Sequence, residues 1–482
     1  MRADAGAAGG RATTRLLHAV TLLLAVALWG AVWPGPLAST VLQTGAVLTL
    51  VAVLGGAPAH RPAPVLSAGL AVLALTPWLY LLPLPAAWLA DLGARALYAT
   101  PSAWLGQPGP DWAPLSMAPF ATWAVALDLL VPLAVFLAVR TLGPDHHARL
   151  LGLLLALAVA EGLFGLLQYA SASSGSGWLP VQGPHAGSAT GSYANRNHLA
   201  LLLEMLLPLA VLLTLNPAAG THPDGRPDRT ATRHRALRWG VVAGMLLVCL
   251  LFTRSRTGIT LALLGVVLAL ALGRHPRRRG GTLGFVSGIL VLALGVASVI
   301  GLAPVIARFG VDALVADARL HIYSATLETL RSWWPLGSGP GTYALVMPPT
   351  QPLTLPDVVL NHAHNDYLEV LVETGALGAL LLSAALGAFM VQSYREVRRA
   401  AGPLSLGAGL GLLLVASHEL LDYGLQIPLN QVVFAVLAGV FFPPPAAAPD
   451  RTPDLPPRHA TAPRRPRPPA PDLNPSPART GA

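Results

Sequence analysis

The sequence predicts an all-α polytopic membrane protein with about twelve transmembrane helices and a small helical cap on one side of the membrane. Of the 482 residues, 54% are hydrophobic and only 11% are charged, and the mean hydropathy is +0.58. This composition is typical of integral membrane proteins and excludes most soluble enzymes. The hydrophobic residues also fall into runs that are long enough to cross a bilayer.

Twelve apolar runs are the candidate spans, and more polar connections separate them. They cover residues 15–33, 38–57, 63–83, 118–139, 149–170, 198–215, 238–253, 257–273, 282–303, 366–391, 403–422 and 427–442. An even number of spans places both ends of the chain on the same side of the membrane.

The distribution of arginine indicates which side that is. All 31 basic residues are arginine, and 24 of them lie in the two tails and in five alternate connections. Those connections are 58–62, 140–149, 216–238, 274–280 and 395–399. Because basic residues are retained on the cytoplasmic side, both ends are predicted to be cytoplasmic. The net charge of +9 therefore reflects topology, and we expect no nucleic-acid partner.

Two tails flank the predicted membrane domain, which covers residues 15–442. Residues 1–14 form a short cytoplasmic tail. Residues 443–482 are rich in proline and arginine and contain few residues to bury. This second tail is predicted to be disordered and solvated, with anionic membrane lipid as a candidate contact.

Three connections on the opposite, outer side are long. Residues 84–117 combine tryptophan with apolar residues and proline, which is typical of an aromatic belt at the membrane interface. Residues 171–197 are rich in glycine and serine. Residues 304–365 have helical spacing from Asp317 to Trp334, followed by a glycine- and proline-rich turn. This last connection predicts the helical cap.

A histidine-bearing loop precedes the tenth span. His362 and His364 come just before an apolar segment, and Asp366 with Glu369 resembles a capping box that starts a helix. The histidines would then lie at the membrane edge, beside a helix N-terminus that favours an anion. The alternative is a polar loop with two solvated histidines.

Seven arginines lie on the outer side against the charge rule, and Arg254 and Arg256 are the most informative. The apolar run before them has 14 residues and would rise only about 21 Å, less than the roughly 30 Å hydrocarbon core. The two cations should therefore lie below the interface, where they need a partner or a wet cavity. They either pair with an acid or bind a phosphate. The candidate acids are Asp128, Glu161, Glu204, Glu369 and Glu373.

Arg196 and Arg319 add two cations on the same side, so the set indicates a site for a lipid-linked phosphate or diphosphate. The chain has no nucleotide-binding motif, and its single cysteine, Cys249, makes a cysteine-ligated metal site improbable. His362, His364 and Asp366 have only weak metal-ligand spacing. A cation-rich site needs no metal to stabilise a leaving phosphate, so neither a metal nor a cofactor is predicted.

Several stretches of the chain together carry a family resemblance. They are His364-Asn365 followed by Gly375 and Gly378, Gly191 to His198, which contains Asn195, Arg196 and Asn197, the pair Ser255-Arg256, Arg319 through Gly341, and Asp422 to Asn430. These stretches resemble the O-antigen ligase and O-antigen polymerase superfamily of bacterial inner-membrane glycosyltransferases, and the first is similar to the His-Asn motif of the ligases. The resemblance covers roughly residues 191–439, and the order of the stretches makes it specific.

The resemblance implies a metal-independent, inverting glycosyltransferase at the periplasmic face of the inner membrane. The donor would be a glycan on undecaprenyl diphosphate, and the acceptor would be lipid A–core or another lipid-linked glycan. His364 would be the base, and the diphosphate would be held by Arg256, Arg196, Arg319 and Arg254. Supporting residues would be Asn365, Asn195, Asn197, Glu369 and His362.

Three alternatives to O-antigen ligation remain. A polymerase that joins lipid-linked repeats would use the same donor and the same loops. A transporter of lipid-linked oligosaccharide would also have about twelve spans, but transporters typically contain an internal repeat with broken helices, and the sequence shows none. The third alternative is a non-catalytic partner in polysaccharide assembly. An enzyme should gather its polar residues at one face, whereas a transporter needs a polar path that reaches both.

Overall fold

The computed structural model describes residues 2–32, 35–55, 64–90, 109–173, 185–221, 226–273, 319–352 and 359–443, with a few single positions between them. The predicted span at 282–303 and the predicted disordered tail lie almost entirely outside these residues.

The described part of the chain is predominantly helical. Its α-helices are α1 (Arg2–Val32), α2 (Pro36–Leu54), α3 (Pro64–Tyr80), α4 (Ala86–Leu89), α5 (Pro119–Asp128), α6 (Leu130–Arg140), α7 (Pro144–Ser173), α8 (Arg196–Leu215), α9 (Arg229–Thr253), α10 (Arg256–Leu272), α11 (Arg319–Trp333), α12 (Tyr343–Val346), α13 (Asp366–Arg398), α14 (Pro403–His418) and α15 (Pro428–Phe441). Two 3-10 turns follow α12 and α14, at Pro348–Thr350 and Gly424–Gln426.

Strand structure in the described residues is limited to two short antiparallel pairs. Strand β1 (Pro83–Pro85) pairs with β2 (Trp112–Pro114), so that Leu84 lies opposite Ala113. Strand β3 (Gly220–Thr221) pairs with β4 (Pro227–Asp228).

Seven helices are long and apolar enough to cross a membrane. They are Thr13–Ala31, Pro36–Leu54, Pro119–Arg140, Pro144–Ala172, Arg196–Leu215, Arg229–Thr253 and Asp366–Arg398. Four shorter apolar helices have 10–17 residues: Ala68–Tyr80, Arg256–Leu272, Pro403–His418 and Pro428–Phe441. These helices agree with a helical polytopic membrane protein and match eleven of the predicted runs in position. The total of twelve spans stays a prediction.

Helix α8 is the central helix of the bundle. Nearly all of its residues are buried, and it packs against α7, α9, α10 and α14. From residue 205 to residue 212 it is apolar all round, so this part of the helix has no polar face that needs water. Helices α1, α2 and α13 bury far less of their surface, which suits helices at the lipid boundary.

Helix α13 is interrupted at Gly375, where φ is 55° and ψ is −133°. The turn that follows α11 fills the break. The backbone N–H of Gly339 donates to the Glu373 carbonyl at 2.8 Å, and that of Ala376 donates to the Pro335 carbonyl at 2.8 Å. A side chain at Gly375 would overlap that carbonyl, so only glycine fits. Two of the motifs behind the family resemblance therefore contact each other.

A second, smaller apolar core lies beside this turn. It contains Ile322 and Trp333 of α11, Tyr343 of α12, and Ala363 and Val372. Helix α11 matches the helix predicted from Asp317 to Trp334, although its first two predicted residues lie outside the described part. The assignment of this region to a periplasmic cap stays a prediction.

One predicted helix cap and the start of one predicted span need correction. Helix α13 does begin at Asp366, but its N-cap is Asn365, whose side chain accepts the backbone N–H of Leu368 at 3.0 Å. The predicted capping box from Asp366 to Glu369 is therefore wrong. Helix α9 begins nine residues before the predicted span, because Asp228 caps its first turn.

Candidate active site

Asp422 lies at the centre of a polar cluster on which separate parts of the chain converge. Its Oδ2 atom accepts hydrogen bonds from Nδ2 of Asn197 at 2.5 Å and from Nη2 of Arg319 at 3.1 Å. Its Oδ1 atom lies 3.3 Å from Nδ1 of His364 and accepts the backbone N–H of Tyr423 at 3.0 Å. The Asp422 side chain is almost fully buried, so these groups take the place of water around the carboxylate.

The protonation of this cluster follows from its contacts. Burial alone would raise the pKa of Asp422, but the hydrogen bond from His364 and the charge of Arg319 hold that pKa well below its ordinary value. Asp422 is therefore an ionised acceptor, and Nδ1 of His364 must carry the ring proton. In the neutral ring, Nε2 is then the nitrogen that can accept a proton. The ring is 31% exposed.

The backbone around His364 is held in an unusual conformation. His364 has a positive φ of 51°, which is uncommon for a residue with a side chain. Its carbonyl oxygen accepts a hydrogen bond from the hydroxyl of Tyr323 at 2.8 Å. The side chain of Asn365, besides capping α13, donates to the carbonyl of Leu420 at 2.9 Å. These contacts fix His364 between α11, α13 and the segment after α14.

His362 belongs to a different set of contacts. Its Nδ1 atom lies 3.0 Å from Oε1 of Glu369. Glu369 also accepts the backbone N–H of Ala363 at 2.8 Å and Nε2 of Gln426 at 2.7 Å. Glu369 therefore stabilises the loop that precedes α13 and has no capping-box role. The contact of His362 with Glu369 belongs to the interactions that stabilise this loop.

The ring of Tyr423 is packed among three histidines. His362 stacks on it at a centroid distance of 4.2 Å and an interplanar angle of 18°. His364 and His198 meet it edge-on, each at 4.9 Å. Burial raises the pKa of Tyr423, so its hydroxyl stays protonated at neutral pH.

Helices α8 and α10, whose first residues are Arg196 and Arg256, start side by side. A Cβ atom placed on Gly258 would lie 2.6 Å from Cβ of Ala200, so the beginnings of the two helices are in direct contact and glycine is required there. Helix N-termini present backbone N–H groups and the positive end of the helix dipole. Two such ends with an arginine on each form a favourable environment for an anion.

The segment 185–195 holds two of the predicted phosphate-binding arginines. Nη1 of Arg196 donates to Oγ of Ser188 at 3.2 Å. Nη1 of Arg254 donates to the carbonyl oxygen of Gly187 at 3.0 Å. Arg254 itself has a left-handed backbone, with φ of 57°, at the turn between α9 and α10.

Asn195 and Asn197 connect this arginine group to Asp422. Asn195 caps α8 by accepting the backbone N–H of Asn197 at 2.9 Å. The side chain of Asn197 then reaches Asp422. Because Arg196 lies between these two asparagines, the start of α8 joins the arginines to the His364 cluster.

The five acids considered as ion-pair partners for Arg254 and Arg256 contact other residues. Asp128 contacts Gln43, Glu161 accepts the backbone N–H of Ser192, Glu204 contacts His418, Glu369 contacts His362, and Glu373 accepts the backbone N–H of Tyr343. Arg319 does pair with an acid, but that acid is Asp422, which had not been a candidate.

The sequence interpretation missed Asp422, Tyr423 and Tyr323 as members of this site. Asp422 and Tyr423 lie in one of the stretches that carried the family resemblance, so that stretch was the available signal. Across the residues that the structure describes, no group of three or more His, Cys, Asp or Glu side chains has an arrangement suited to a metal ion.

Residues 241–383 match the family model described as O-antigen ligase. This match supports the resemblance of the chain to the O-antigen ligase and polymerase superfamily. No curated protein matches the chain. The match therefore supports an enzyme of glycosyltransferase type in general. The matched segment includes Arg254, Arg256, Arg319, His362 and His364. Asp422 and the start of α8 lie outside it, and only the folded chain brings them to His364.

Proposed function

We propose that the chain transfers a glycan from undecaprenyl diphosphate to an acceptor hydroxyl at the periplasmic face of the bacterial inner membrane. The acceptor that we favour is lipid A–core, so the reaction is O-antigen ligation in lipopolysaccharide assembly. The hydrogen-bonded set of His364, Asp422 and Arg319 beside two arginine-bearing helix starts carries this proposal. Glycosyl transfer from a diphosphate needs a base and cations for the leaving group.

In the proposed reaction, the acceptor oxygen attacks the anomeric carbon while the bond from that carbon to the diphosphate oxygen breaks. Nε2 of His364 takes the proton of the acceptor hydroxyl, and the diphosphate leaves with the electron pair. A single displacement of this kind inverts the anomeric centre. Asp422 keeps the His364 ring in the required tautomer and stabilises the imidazolium that forms.

Arg256, Arg196, Arg319 and Arg254 are the proposed partners of the diphosphate. A departing diphosphate gains negative charge, and guanidinium groups bind its oxygens with two parallel hydrogen bonds. Because these cations supply the stabilisation, the proposal includes neither a metal nor a cofactor. Transfer by the purified protein in the presence of excess chelator tests that part. Activity that disappears with chelator and returns with a divalent cation would contradict it.

A transporter of lipid-linked oligosaccharide is the main alternative from another class. It would need a polar path along the bundle. The central helix α8 instead buries an uninterrupted apolar stretch from residue 205 to residue 212. The polar contacts around Asp422 lie beyond one end of that stretch, which supports an enzyme that works at one membrane face.

Ligase and polymerase are separated by deleting the gene and examining the lipopolysaccharide. Loss of a ligase should leave bare core, with polymer stranded on the carrier lipid. Loss of a polymerase should leave core that carries one repeat. Bare core with the lipid-linked glycan held on the cytoplasmic side of the membrane would support transport and contradict both.

The side of the membrane is tested by labelling single cysteines. Cys249 is buried, so it should stay silent. Ser324→Cys lies on an exposed position of α11 and should react with an impermeant reagent from the periplasm. His234→Cys, exposed near the start of α9, is the matched control and should react only after the membrane is opened. The reverse pattern would invert the topology and refute a periplasmic site.

A further inference from the structure

Glu204 and His418 form a fully buried acid–histidine pair inside the helix bundle. Oε1 of Glu204 lies 2.8 Å from Nδ1 of His418, and both side chains have an exposed fraction of 0%. Neither residue has a part in the proposed reaction. Ionisable groups within a membrane bundle are costly, so a pair in this position calls for a specific role.

The pair joins α8, which carries Asn197, to α14, which leads into Asp422. Glu204 lies on α8, two turns after Asn197, while His418 is the last residue of α14, four residues before Asp422. Asn197 and Asp422 are themselves hydrogen bonded. The contact between Glu204 and His418 is therefore a second link between the same two elements, one layer deeper in the bundle.

A third helix meets the pair. A Cβ atom placed on Gly258 would lie 3.4 Å from Oε2 of Glu204, so the carboxylate faces the first turn of α10. That turn begins at Arg256. A carboxylate near a helix N-terminus interacts favourably with the helix dipole. Helices α8, α10 and α14 also pack against one another, which places Glu204 where all three meet.

Stability alone does not account for this pair. Among the described residues, Oε2 of Glu204 and Nε2 of His418 have no hydrogen-bond partner. The contact between Oε1 and Nδ1 is therefore the one hydrogen bond that the two side chains share. Apolar side chains of similar volume usually stabilise a buried position as well as an ion pair or better. A hydrogen bond differs from apolar packing in fixing one distance and one direction.

We propose that Glu204 and His418 are positioning residues whose hydrogen bond sets α14 against α8 and α10. That arrangement would let the base, His364, and the leaving-group cations, Arg256 and Arg196, act on the same donor. The inference rests on the proposed glycosyl transfer. It assigns a role in catalysis to two residues that lie below the site and touch no substrate.

The test uses the full-length protein and the lipid-linked donor in detergent, with kcat and KM measured separately. Glu204→Leu and His418→Leu should each lower kcat by about 10- to 100-fold, the loss expected when reacting groups are displaced by about 1 Å. The KM for the donor should change by less than about threefold, because each group of binding residues stays intact. Glu204→Gln keeps an oxygen that accepts from His418, so it should restore most of kcat.

The double variant Glu204→Leu/His418→Leu separates positioning from simple structural support. Two apolar residues should keep the thermal midpoint at or above the wild-type value. We expect kcat of this stable protein to remain as low as in the single variants. A double variant with wild-type kcat would overturn the proposal, and so would a Glu204→Gln variant as slow as Glu204→Leu.

Two parallel variants complete the design. Glu396→Leu is the matched control, since Glu396 is a buried carboxylate that contacts Gln392 and Ser405 near the end of α13 away from the site. It should keep wild-type kcat per folded molecule, and an equal loss there would overturn a site-specific role for Glu204. His364→Ala tests the proposed function itself. If it transfers at the wild-type rate while the Glu204 variants are slow, the base assignment fails and the positioning inference fails with it.

Discussion

His362 and His364 both contact the Tyr423 ring and look alike in the sequence, but they differ in the fold. His362 and His364 flank one buried alanine, have similar exposure, and each lies beside one carboxylate. The carboxylate beside His362 is Glu369, which also accepts a backbone N–H of the same loop. The carboxylate beside His364 is Asp422, which also binds an arginine and an asparagine from distant elements.

This difference indicates that the partners of a histidine, and not its motif, identify its role. Glu369 uses its oxygens to fix the loop that starts α13, so His362 belongs to the support of the fold. Asp422 binds Arg319 and Asn197 through one oxygen and lies beside Nδ1 of His364 with the other, so that ring lies where polar groups from distant parts of the chain meet. We expect the chemistry to depend on the contacts of Asp422 and not on those of Glu369.

The largest expected effect that separates the two carboxylates comes from Asp422→Asn. An amide can no longer hold His364 in one tautomer or stabilise its cation, so we expect kcat to fall by about 10²- to 10⁴-fold. Glu369→Gln still accepts the backbone N–H of Ala363, and its loss should stay within about tenfold. Both are measured as transfer of lipid-linked glycan by purified protein. Equal losses in the two variants would mean that the two sides are equivalent.

The second prediction compares Arg256 with Arg254, two arginines that are both proposed to bind the diphosphate near His364. Arg256→Lys keeps the charge but loses the bidentate geometry, so we expect transfer to fall by about 10- to 100-fold. Arg254 already donates to the carbonyl of Gly187, and Arg254→Lys should cost less than about threefold. Full activity in Arg256→Ala would show that the start of α10 has a structural role only.

The fold was predicted best where a long apolar run ends at a polar residue. The start of α13 at Asp366 and the apolar helices follow from such boundaries alone. The break at Gly375 was missed, because a glycine within an apolar run has the same pattern as a continuous helix. Its cause lies in the turn that begins at Pro335, about forty residues earlier, and a local pattern contains no information about that contact.

The site was predicted only in part, for a similar reason. His364 and the arginines could be selected from residue type and from their position at the ends of apolar runs. Asp422 follows His364 by 58 positions, and no periodicity or charge rule connects the two residues. Glu204 was considered as a partner for arginine, although its contact is His418. Long-range pairing within a helix bundle depends on which helices pack together, and hydropathy does not specify that.

The smallest expected effect concerns the Tyr423 ring that the two histidines share. Tyr423→Phe keeps the ring, so His364 should stay in place and activity should fall by less than about threefold. Tyr423→Leu removes the edge contact to His364 and the stacking with His362, and we expect a loss of about tenfold. Thermal midpoints of both variants report whether folding is preserved. A Phe variant as slow as the Leu variant would assign the effect to the hydroxyl instead of the ring.

The most direct test of the account compares His364→Ala with His362→Ala in the same transfer assay, with chelator present and membrane insertion verified. A positioned base commonly contributes about 10²- to 10⁴-fold, so His364→Ala should show no detectable transfer. His362→Ala should keep activity within about tenfold of the wild type, because the Asp422 cluster is intact. An active His364→Ala protein together with an inactive His362→Ala protein would contradict the assignment of the base.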